Sequence, residues 1–274
     1  MITVNASALK RLLCLTQRRQ TVAGKNNPQV VACVLRPDNQ RLSTTSLVRD
    51  GKTSVSYFSV PCMVHPEKED EAMPVPDIDR LLGVLKHFSG EIKISTSKTG
   101  IVVKSSKKQT TLQANLNGLA FPHSTETIGA WEEKSMALAD KIDGNTYKLA
   151  DGSVIEPMCS ITVDADHLAE ALSADNMNNQ KLNRYKFHMG GEFTDSYLHV
   201  GDPLKGQTIV KLVEDLKHDC EEWEWSFEGG LENVVSFLSG DLKLSFLDFR
   251  QYEQGIRMIV EADNGWFMQA GVLE

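Results

Sequence analysis

The sequence predicts an α+β protein built from two homologous domains, each with two helices packed on antiparallel sheet. Residues 2–13 (ITVNASALKRLL) return as residues 161–172 (ITVDADHLAEAL), with six identical positions at a constant offset of 159. Residues 89–95 (SGEIKIS) return as residues 239–245 (SGDLKLS) at an offset of 150. Each half also alternates helical apolar stripes with short strand-like runs. Because both repeats occur in the same order, we interpret them as a duplication.

The two repeats divide the chain into residues 1–118 and residues 159–274. The stretch between them, 119–158, contains glycine, proline and charged residues without a sustained period. This composition is typical of a connector or an elaborated loop. We therefore expect two domains joined by a long connector.

The first half opens with a strand at Ile2–Val4 and a helix that Asn5 or Ser7 can cap. Strands are predicted at Val30–Leu35 and Ser54–Val60. The buried stripe of the first helix consists of Ala6, Leu9, Leu12, Leu13 and Thr16.

A second helix is predicted to begin at Pro76-Asp77 and to end at Gly90. Three antiparallel strands follow, at Ile92–Ser95, Ile101–Lys104 and Thr110–Ala114. The stripe of this helix consists of Ile78, Leu81, Leu82, Leu85 and Phe88.

The second half repeats this plan. Ile161–Val163 is a predicted strand, Asp164 or Asp166 caps the next helix, and Asn264-Gly265 is a strong hairpin signal. The last helix carries Leu231, Val234, Val235 and Leu238 and ends at Gly240; strands follow at Leu242–Phe246, Ile256–Glu261 and Trp266–Ala270.

Composition limits the possible classes of function. The 274 residues carry a formal net charge of −8, which argues against gripping nucleic acid by bulk positive charge but leaves room for a local basic face. The five cysteines never form CxxC, so a disulfide framework or zinc site is disfavoured and a reducing compartment is expected. No apolar run approaches the ~18 residues of a membrane span, and the N-terminal pattern differs from a signal peptide.

Enzymatic motifs are weak. Gly51-Lys52-Thr53 resembles the end of a phosphate-binding loop, but Ser46 stands where that motif needs glycine. Asp248-Phe249-Arg250 lacks the glycine of the kinase triplet. His218 and Cys220 form too short a pattern for a metal site. We therefore expect no catalytic residue, no cofactor and no metal, although an uncharacterised enzyme on the same scaffold stays an alternative.

Three segments carry a family resemblance: residues 77–85 (DIDRLLGVL), residues 91–95 (EIKIS) and residues 258–263 (MIVEAD). With them the sequence resembles the DNA sliding clamps of the two-domain, proliferating-cell-nuclear-antigen type, and especially those of T-even-type phages. The connector 119–158 is longer than the crossover of that family.

The resemblance implies a processivity factor: a homotrimeric ring of six similar domains, with helices around the hole and sheets outside. The implied partners are double-stranded DNA without regard to sequence, a DNA polymerase, a clamp loader and further copies of the chain. No membrane is implied, and the location is the cytoplasm, that of the host cell if the protein is phage-encoded.

A size estimate agrees with three copies. With helices ~9–10 Å apart, four per chain make a circle of ~40, ~80 or ~115 Å for one, two or three chains. Subtracting ~10 Å of helix thickness leaves openings of roughly 3, 15 and 27 Å. A duplex roughly 20 Å across, with grooves ~8 Å deep, passes only through the last.

The implied DNA contacts are basic residues opposite the apolar stripes, where a few cations attract phosphates without reading sequence. Each of them also fits an ordinary solvated helix face. In the second half, one helix carries acidic residues and the other has no basic residue, so either the DNA contact is lopsided or the second domain is oriented differently from the family expectation. The candidates are Lys10, Arg11, Arg18, Arg19, Arg80 and Lys86 with His87 in the first half, and Lys181 and Arg184 in the second.

Family clamps close head to tail through edge strands, and clients insert a peptide into an apolar pocket near the connector. The interface candidates are Thr110, Thr111, Leu112 and Gln113 in the first half, and Tyr197, Leu198 and His199 within the predicted edge Ser196–Val200. The pocket candidates, for which core packing is the other interpretation, are Phe121, Ile128, Trp131, Met268, Ala270, Val272 and Leu273.

A monomeric or open viral processivity subunit with the same fold is the main alternative. It would hold DNA by charge rather than by closure, so its binding would collapse steeply as salt rises.

Overall fold

The computed structural model describes residues 1–17, 19–22, 25–28, 30–38, 40–46, 54–64, 73–113, 140–143, 146–148, 154–174, 184–189, 196–202, 206–213, 222–228, 231–250, 255–263 and 265–271. These residues form two compact units, one built mainly from the described residues up to Gln113 and the other mainly from those after Asp140.

The elements of the first half alternate strands with two helices. They are β1 (Ile2–Asn5), α1 (Ala6–Gln17), β2 (Arg19–Val22), β3 (Lys25–Pro28), β4 (Cys33–Asp38), β5 (Arg41–Ser46), β6 (Ser54–Val64), β7 (Met73–Val75), α2 (Ile78–Leu85), β8 (Glu91–Ser97), β9 (Gly100–Lys104) and β10 (Gln109–Gln113). The strands of the first unit follow the order β10-β9-β8-β1-β6-β5-β4-β7. Strands β2 and β3 pair with each other in a separate two-stranded sheet, and the described residues within 18–27 are grouped with the second unit.

Helix α1 buries the predicted stripe. Asn5 caps it, because its Oδ1 accepts from the amide of Ser7 at 2.9 Å. Thr16 ends the stripe inside the core, where its hydroxyl donates to the carbonyl of Leu12 at 2.8 Å and hydrogen-bonds with Thr44 of β5. The buried side chains are Ala6, Leu9, Leu12, Leu13, Leu15, Thr16 and Gln17.

Helix α2 begins where the sequence predicts and ends earlier. Asp77 is its N-cap and accepts from the amide of Arg80 at 2.9 Å. The helix ends at Leu85, so the prediction that Gly90 ends it is wrong. Gly90 instead has φ +67° in the turn that leads into β8, a conformation that favours glycine. Leu82 is only half-buried, because it lies at the margin of the stripe.

The second half begins with three short strands and then repeats the plan of the first. Its elements are β11 (Asp140–Asp143), β12 (Thr146–Lys148), β13 (Val154–Ile155), β14 (Cys159–Asp164), α3 (Ala165–Ser173), β15 (Arg184–Met189), β16 (Ser196–Asp202), β17 (Gly206–Val213), β18 (Trp223–Glu228), α4 (Leu231–Val235), β19 (Asp241–Asp248), β20 (Ile256–Ala262) and β21 (Gly265–Ala270).

Two runs of strands make up the second unit, β21-β20-β19-β14 and β17-β16-β15-β18, with β14 lying beside β17. If the two runs are joined at β14 and β17 and the strands in each order are numbered along the chain, this order is the same as that of the first unit. The registers also agree: Val4 lies opposite Ile92, and Val163 lies opposite Leu242. In each unit the two helices pack on one another.

Aromatic side chains fill the core of the second unit. The ring of Phe246 lies 5.2 Å from that of Phe187 and 4.7 Å from that of Trp223, measured between centroids. The hydroxyl of Tyr185 hydrogen-bonds to the Gln269 side-chain oxygen at 2.7 Å. These contacts join strands β15 and β18 to β19 and β21.

Several strand bounds differ from prediction. The strand predicted from Val30 begins at Cys33.

The described part of the connector is not simply irregular, because β11, β12 and β13 form a three-stranded sheet. Tyr147 of this sheet is buried, and its hydroxyl donates to Glu261 at 3.1 Å. The predicted hairpin is present: Ala262 pairs with Gly265, although Asn264 lies outside the described residues.

Candidate nucleic-acid interface

Of the two predicted cations that lie within α1, one is exposed to solvent and the other is half-buried. Arg11 is exposed, opposite the buried stripe. Lys10 is half-buried, and its Nζ donates to the carbonyl of Phe88 at 3.2 Å. Lys10 therefore connects α1 to the turn that follows α2, which is a structural role that the helical pattern did not indicate.

Helix α1 ends at Gln17, before the next two predicted cations. Arg18 lies outside the described residues, and Arg19 begins strand β2 rather than continuing the helix. The basic cluster predicted for the first helix is therefore smaller than expected.

Three predicted basic side chains on α2 and in the turn after it are exposed to solvent. Arg80, Lys86 and His87 are all exposed. The Arg80 guanidinium also reaches the carbonyl of Gln113 at 3.4 Å, which connects the helix to β10. Lys86 and His87 occupy the turn directly after the helix, so the Lys86 ammonium lies at its C-terminal end.

A further cation, missed from the sequence, joins this group. Lys108 lies in the turn between β9 and β10, and its Nζ is 4.7 Å from the centroid of the Phe88 ring. Phe88 thus contacts Lys108 through its ring and Lys10 through its carbonyl. Lys107, in the same turn, is exposed. The sequence feature that could have predicted this cation is the pair Lys107 and Lys108 between two predicted strands.

Charge is divided unevenly along the chain. Residues 1–113 contain 17 lysines and arginines against 9 aspartates and glutamates, a formal charge of +8. Residues 114–274 contain 12 against 28, a formal charge of −16. The overall charge of −8 therefore conceals a basic first part that can attract phosphates.

The helices of the second unit have no such basic face among the described residues. Asp166 and Glu170 of α3 are exposed, and α4 has Glu232 in its first turn. Lys181 lies outside the described residues, and Arg184 begins β15, a strand rather than a helix. The lopsided distribution expected from the sequence is present.

Edge strands decide where a second chain can pair. In the first unit β10 ends the sheet, and it pairs with β9 alone among the described strands. In the second unit, β17 ends the ladder β17-β16-β15-β18, because β14 lies beside it without a described ladder between them. Its Ile209 is 56% accessible. Such an edge offers its backbone donors and acceptors to a partner.

The predicted edge at Ser196–Val200 is wrong. These residues belong to β16, which forms ladders with β15 on one side and β17 on the other. Tyr197, Leu198 and His199 are therefore interior to the sheet, and Leu198 is fully buried. Order along the chain misled the prediction, because β17 folds back outside β16.

Solved structures with the same arrangement are sliding clamps. The DNA polymerase sliding clamp from Pseudomonas aeruginosa matches 99% of this chain with a TM-score of 0.65 at 14% identity. The clamp from Bacillus subtilis matches 100% with a TM-score of 0.64 at 14% identity. The DNA polymerase III beta subunit from Thermotoga maritima matches 100% with a TM-score of 0.65 at 12% identity.

The chain has the DNA sliding-clamp fold. It spans 66%, 64% and 64% of the lengths of these three clamps. No protein-family model matches the sequence, and none of the curated proteins does. The predicted α+β clamp fold is thus confirmed by structure, where sequence similarity is too low to be detected.

Little of the predicted client pocket falls on described side chains of this clamp fold. Met268 of β21 is 6% exposed, which fits core packing. Ala270 lies in the same strand. Phe121, Ile128, Trp131, Val272 and Leu273 lie outside the described residues.

Metal-binding clusters and membrane helices are both absent from the described part of the chain. There, no group of three or more histidine, cysteine, aspartate or glutamate side chains is arranged to hold a metal ion. No helix in this part has the length and apolar character that crossing a bilayer requires.

Proposed function

We propose that the chain is a DNA polymerase processivity factor, which closes as a homotrimeric ring around duplex DNA and is not an enzyme. The observation that carries the proposal is the sliding-clamp fold over 99–100% of the chain. Topological closure would prevent dissociation, so weak phosphate contacts would suffice and tight ones would slow sliding.

Contact with DNA is proposed for the helix side of the first unit. Arg11, Arg80 and Lys86 are exposed there, and Lys108 adds a cation beside Phe88. Such side chains attract the phosphate backbone without selecting a sequence. Lys10 would act mainly by positioning the two helices. Arg18, Arg19, Lys181 and Arg184 remain candidates.

Ring closure is proposed through β10 of one copy and β17 of the next. The two strands are different edges of different units, so each copy offers one of each and the contact is head to tail. Thr110 and Thr111 are exposed on β10, and Ile209 is exposed on β17. Added ladder hydrogen bonds would cover both edges.

The proposed clients are a DNA polymerase and a clamp loader, with Met268 and Ala270 and the undescribed pocket candidates as their contacts. A replication role places the protein in the cytoplasm, that of the host cell if it is phage-encoded. The proposed clamp is of the two-domain type, like proliferating cell nuclear antigen and the clamps of T-even-type phages.

Retention on circular DNA tests the proposal. Clamp loaded on nicked circular duplex by its loader should stay bound through gel filtration at high salt and leave when the circle is linearised. Arg80→Ala with Lys86→Ala should lower loading while light scattering still gives ~91 kDa, three times 30.4 kDa. Lys98→Ala, which removes one exposed charge from the β8–β9 turn, is the control.

A monomeric or open processivity subunit is the second candidate. The net positive charge of residues 1–113, against a net negative charge of residues 114–274, favours it, because a one-sided basic surface can hold DNA without closure. This candidate predicts a mass near 30.4 kDa and equal retention on circular and linear DNA.

A further inference from the structure

The sheet of the first unit carries two lysines face to face. Lys93 of β8 lies directly opposite Lys104 of β9, and both side chains are exposed. Their neighbours along the strands, Ile92 and Val103, are buried, so the lysines lie on the face away from the core. Like charges directly opposite one another destabilise a sheet.

The second unit shows how the fold accommodates the same position. Lys243 is the equivalent of Lys93 in the repeated segment, and its cross-strand partner is Glu261. The Lys243 Nζ is 4.0 Å from the Glu261 Oε2. One unit thus has an ion pair where the other has two cations. The same sheet position accepts an ion pair in the second unit, so the first unit carries positive charge there that an acidic partner could neutralise.

An apolar side chain extends the two lysines into a row. Thr3 of β1 lies beside Lys93, and on its other side Thr3 lies opposite Met63 of β6. Met63 is 57% exposed. Among the described residues, neither Lys93 nor Lys104 has an ion-pair partner. The lysine row, defined as Met63, Thr3, Lys93 and Lys104, therefore combines positive charge that no described residue neutralises with a flexible apolar group.

We propose that the lysine row is a docking surface for an acidic segment of a partner protein that also brings an apolar side chain. Charge complementarity requires the acidic groups, and the exposed thioether of Met63 suits an apolar contact that adapts its shape. A phosphate backbone would leave Met63 uncovered. The row faces away from the core that the helices cover, and the inference does not depend on ring closure.

The test uses the full chain and a fluorescein-labelled peptide of four Glu-Glu-Leu repeats, with binding measured by fluorescence anisotropy. Lys104→Glu recreates the Lys243–Glu261 pair, so it should weaken peptide binding about tenfold and raise the unfolding midpoint by about 1–3 °C. Lys98→Glu makes the same charge change at the other end of the hairpin and should alter binding by less than about twofold.

Two further variants separate the contributions. Met63→Gln should weaken binding of the Glu-Glu-Leu peptide but not of a Glu-Glu-Ser peptide. Lys86→Glu should weaken binding of duplex DNA and leave peptide binding unchanged, whereas Lys104→Glu should do the reverse. This opposite pattern distinguishes failure of the docking surface from failure of the proposed function.

Three results would overturn the docking surface. The first is peptide affinity that Lys104→Glu leaves unchanged. The second is loss of duplex DNA binding in Lys104→Glu, which would assign the row to nucleic acid. The third is a change of oligomeric mass in that variant, which would assign it to a second copy of the chain.

Discussion

The backbone amide of Ala6 donates to the carbonyl oxygen of Gly90 across 2.8 Å, which fastens the first residue of α1 to the turn entering β8. In the second unit Ala165 donates to Gly240 across 2.9 Å. Both glycines have positive φ, +67° and +78°. The two sequence repeats align these same residues. In each half, the two repeated segments therefore meet at one junction, where the first residue of the first helix contacts the turn that follows the second helix.

Replacing either glycine by alanine should destabilise the protein by about 1 kcal/mol, because an L side chain disfavours the left-handed conformation. No neighbouring atom lies within 4 Å of the added Cβ at Gly90 or Gly240, so the cost comes from the backbone alone. Urea unfolding monitored by circular dichroism measures the change.

Gly83→Ala is the matched control for these glycines. Gly83 lies inside α2, and its added Cβ also meets nothing within 4 Å. This change should stabilise the protein by about 0.5–1 kcal/mol. Destabilisation by all three substitutions alike would contradict the assignment of the cost to φ.

Gly271→Ala should be more costly than the turn glycines, by about 1–3 kcal/mol. The added Cβ would overlap the Trp225 Nε1 and would lie 2.9 Å from the carbonyl oxygen of Ile256. Thermal unfolding of the single variants and of Gly271→Ala with Trp225→Leu forms a double-mutant cycle. Strictly additive losses would show that the indole is not the obstacle.

Stability should fall as the pH drops through 6.5, in part because of His199. Burial lowers the pKa of His199 from its ordinary value of 6.5, against the opposing effect of Glu224; His188 and Lys186 also lower it. The unfolded chain therefore binds the proton more readily, and stability is highest above 6.5 and declines toward the lower folded pKa. His199→Gln should flatten urea-denaturation midpoints measured between pH 8 and pH 5.

His87→Gln is the control for this pH dependence, since His87 is exposed in the turn after α2. A separate loss is expected below pH 4.5, because the hydrogen bond from Lys186 holds the pKa of Glu224 below its ordinary value. A His199→Gln slope equal to that of the unaltered chain would disprove the assignment.

Binding of short duplex DNA should depend on the cations around Phe88. Lys86→Ala with Lys108→Ala should reduce the slope of log affinity against log salt by roughly 1.8, about 0.9 for each phosphate that is no longer neutralised. Fluorescence anisotropy at several salt concentrations gives the slope. Asp166→Ala with Glu170→Ala in α3 should strengthen binding slightly, because it removes negative charge. Equal slopes in all variants would place the DNA elsewhere.

Local pattern was enough for most of the fold. The stripe from Ala6 to Thr16 specifies the buried face of α1, and Asn5 and Asp164 specify where helices begin, because these signals act between residues that are close in sequence. The repeats predicted a duplication, and the two units do share one strand order. In the candidate site, the exposure of Arg80 and Lys86 could be predicted because both lie opposite the apolar stripe of the second helix.

Tertiary structure alone decided which strands lie at an edge and which cations are open to solvent. The sequence placed Ser196–Val200 at an edge, but β17 folds back against it and takes that position. Lys10 looked like a free surface cation, yet its ammonium is bound to the carbonyl of Phe88, 78 positions along the chain. Strand neighbours and such contacts depend on how distant segments meet, and periodicity within one segment holds no information about that.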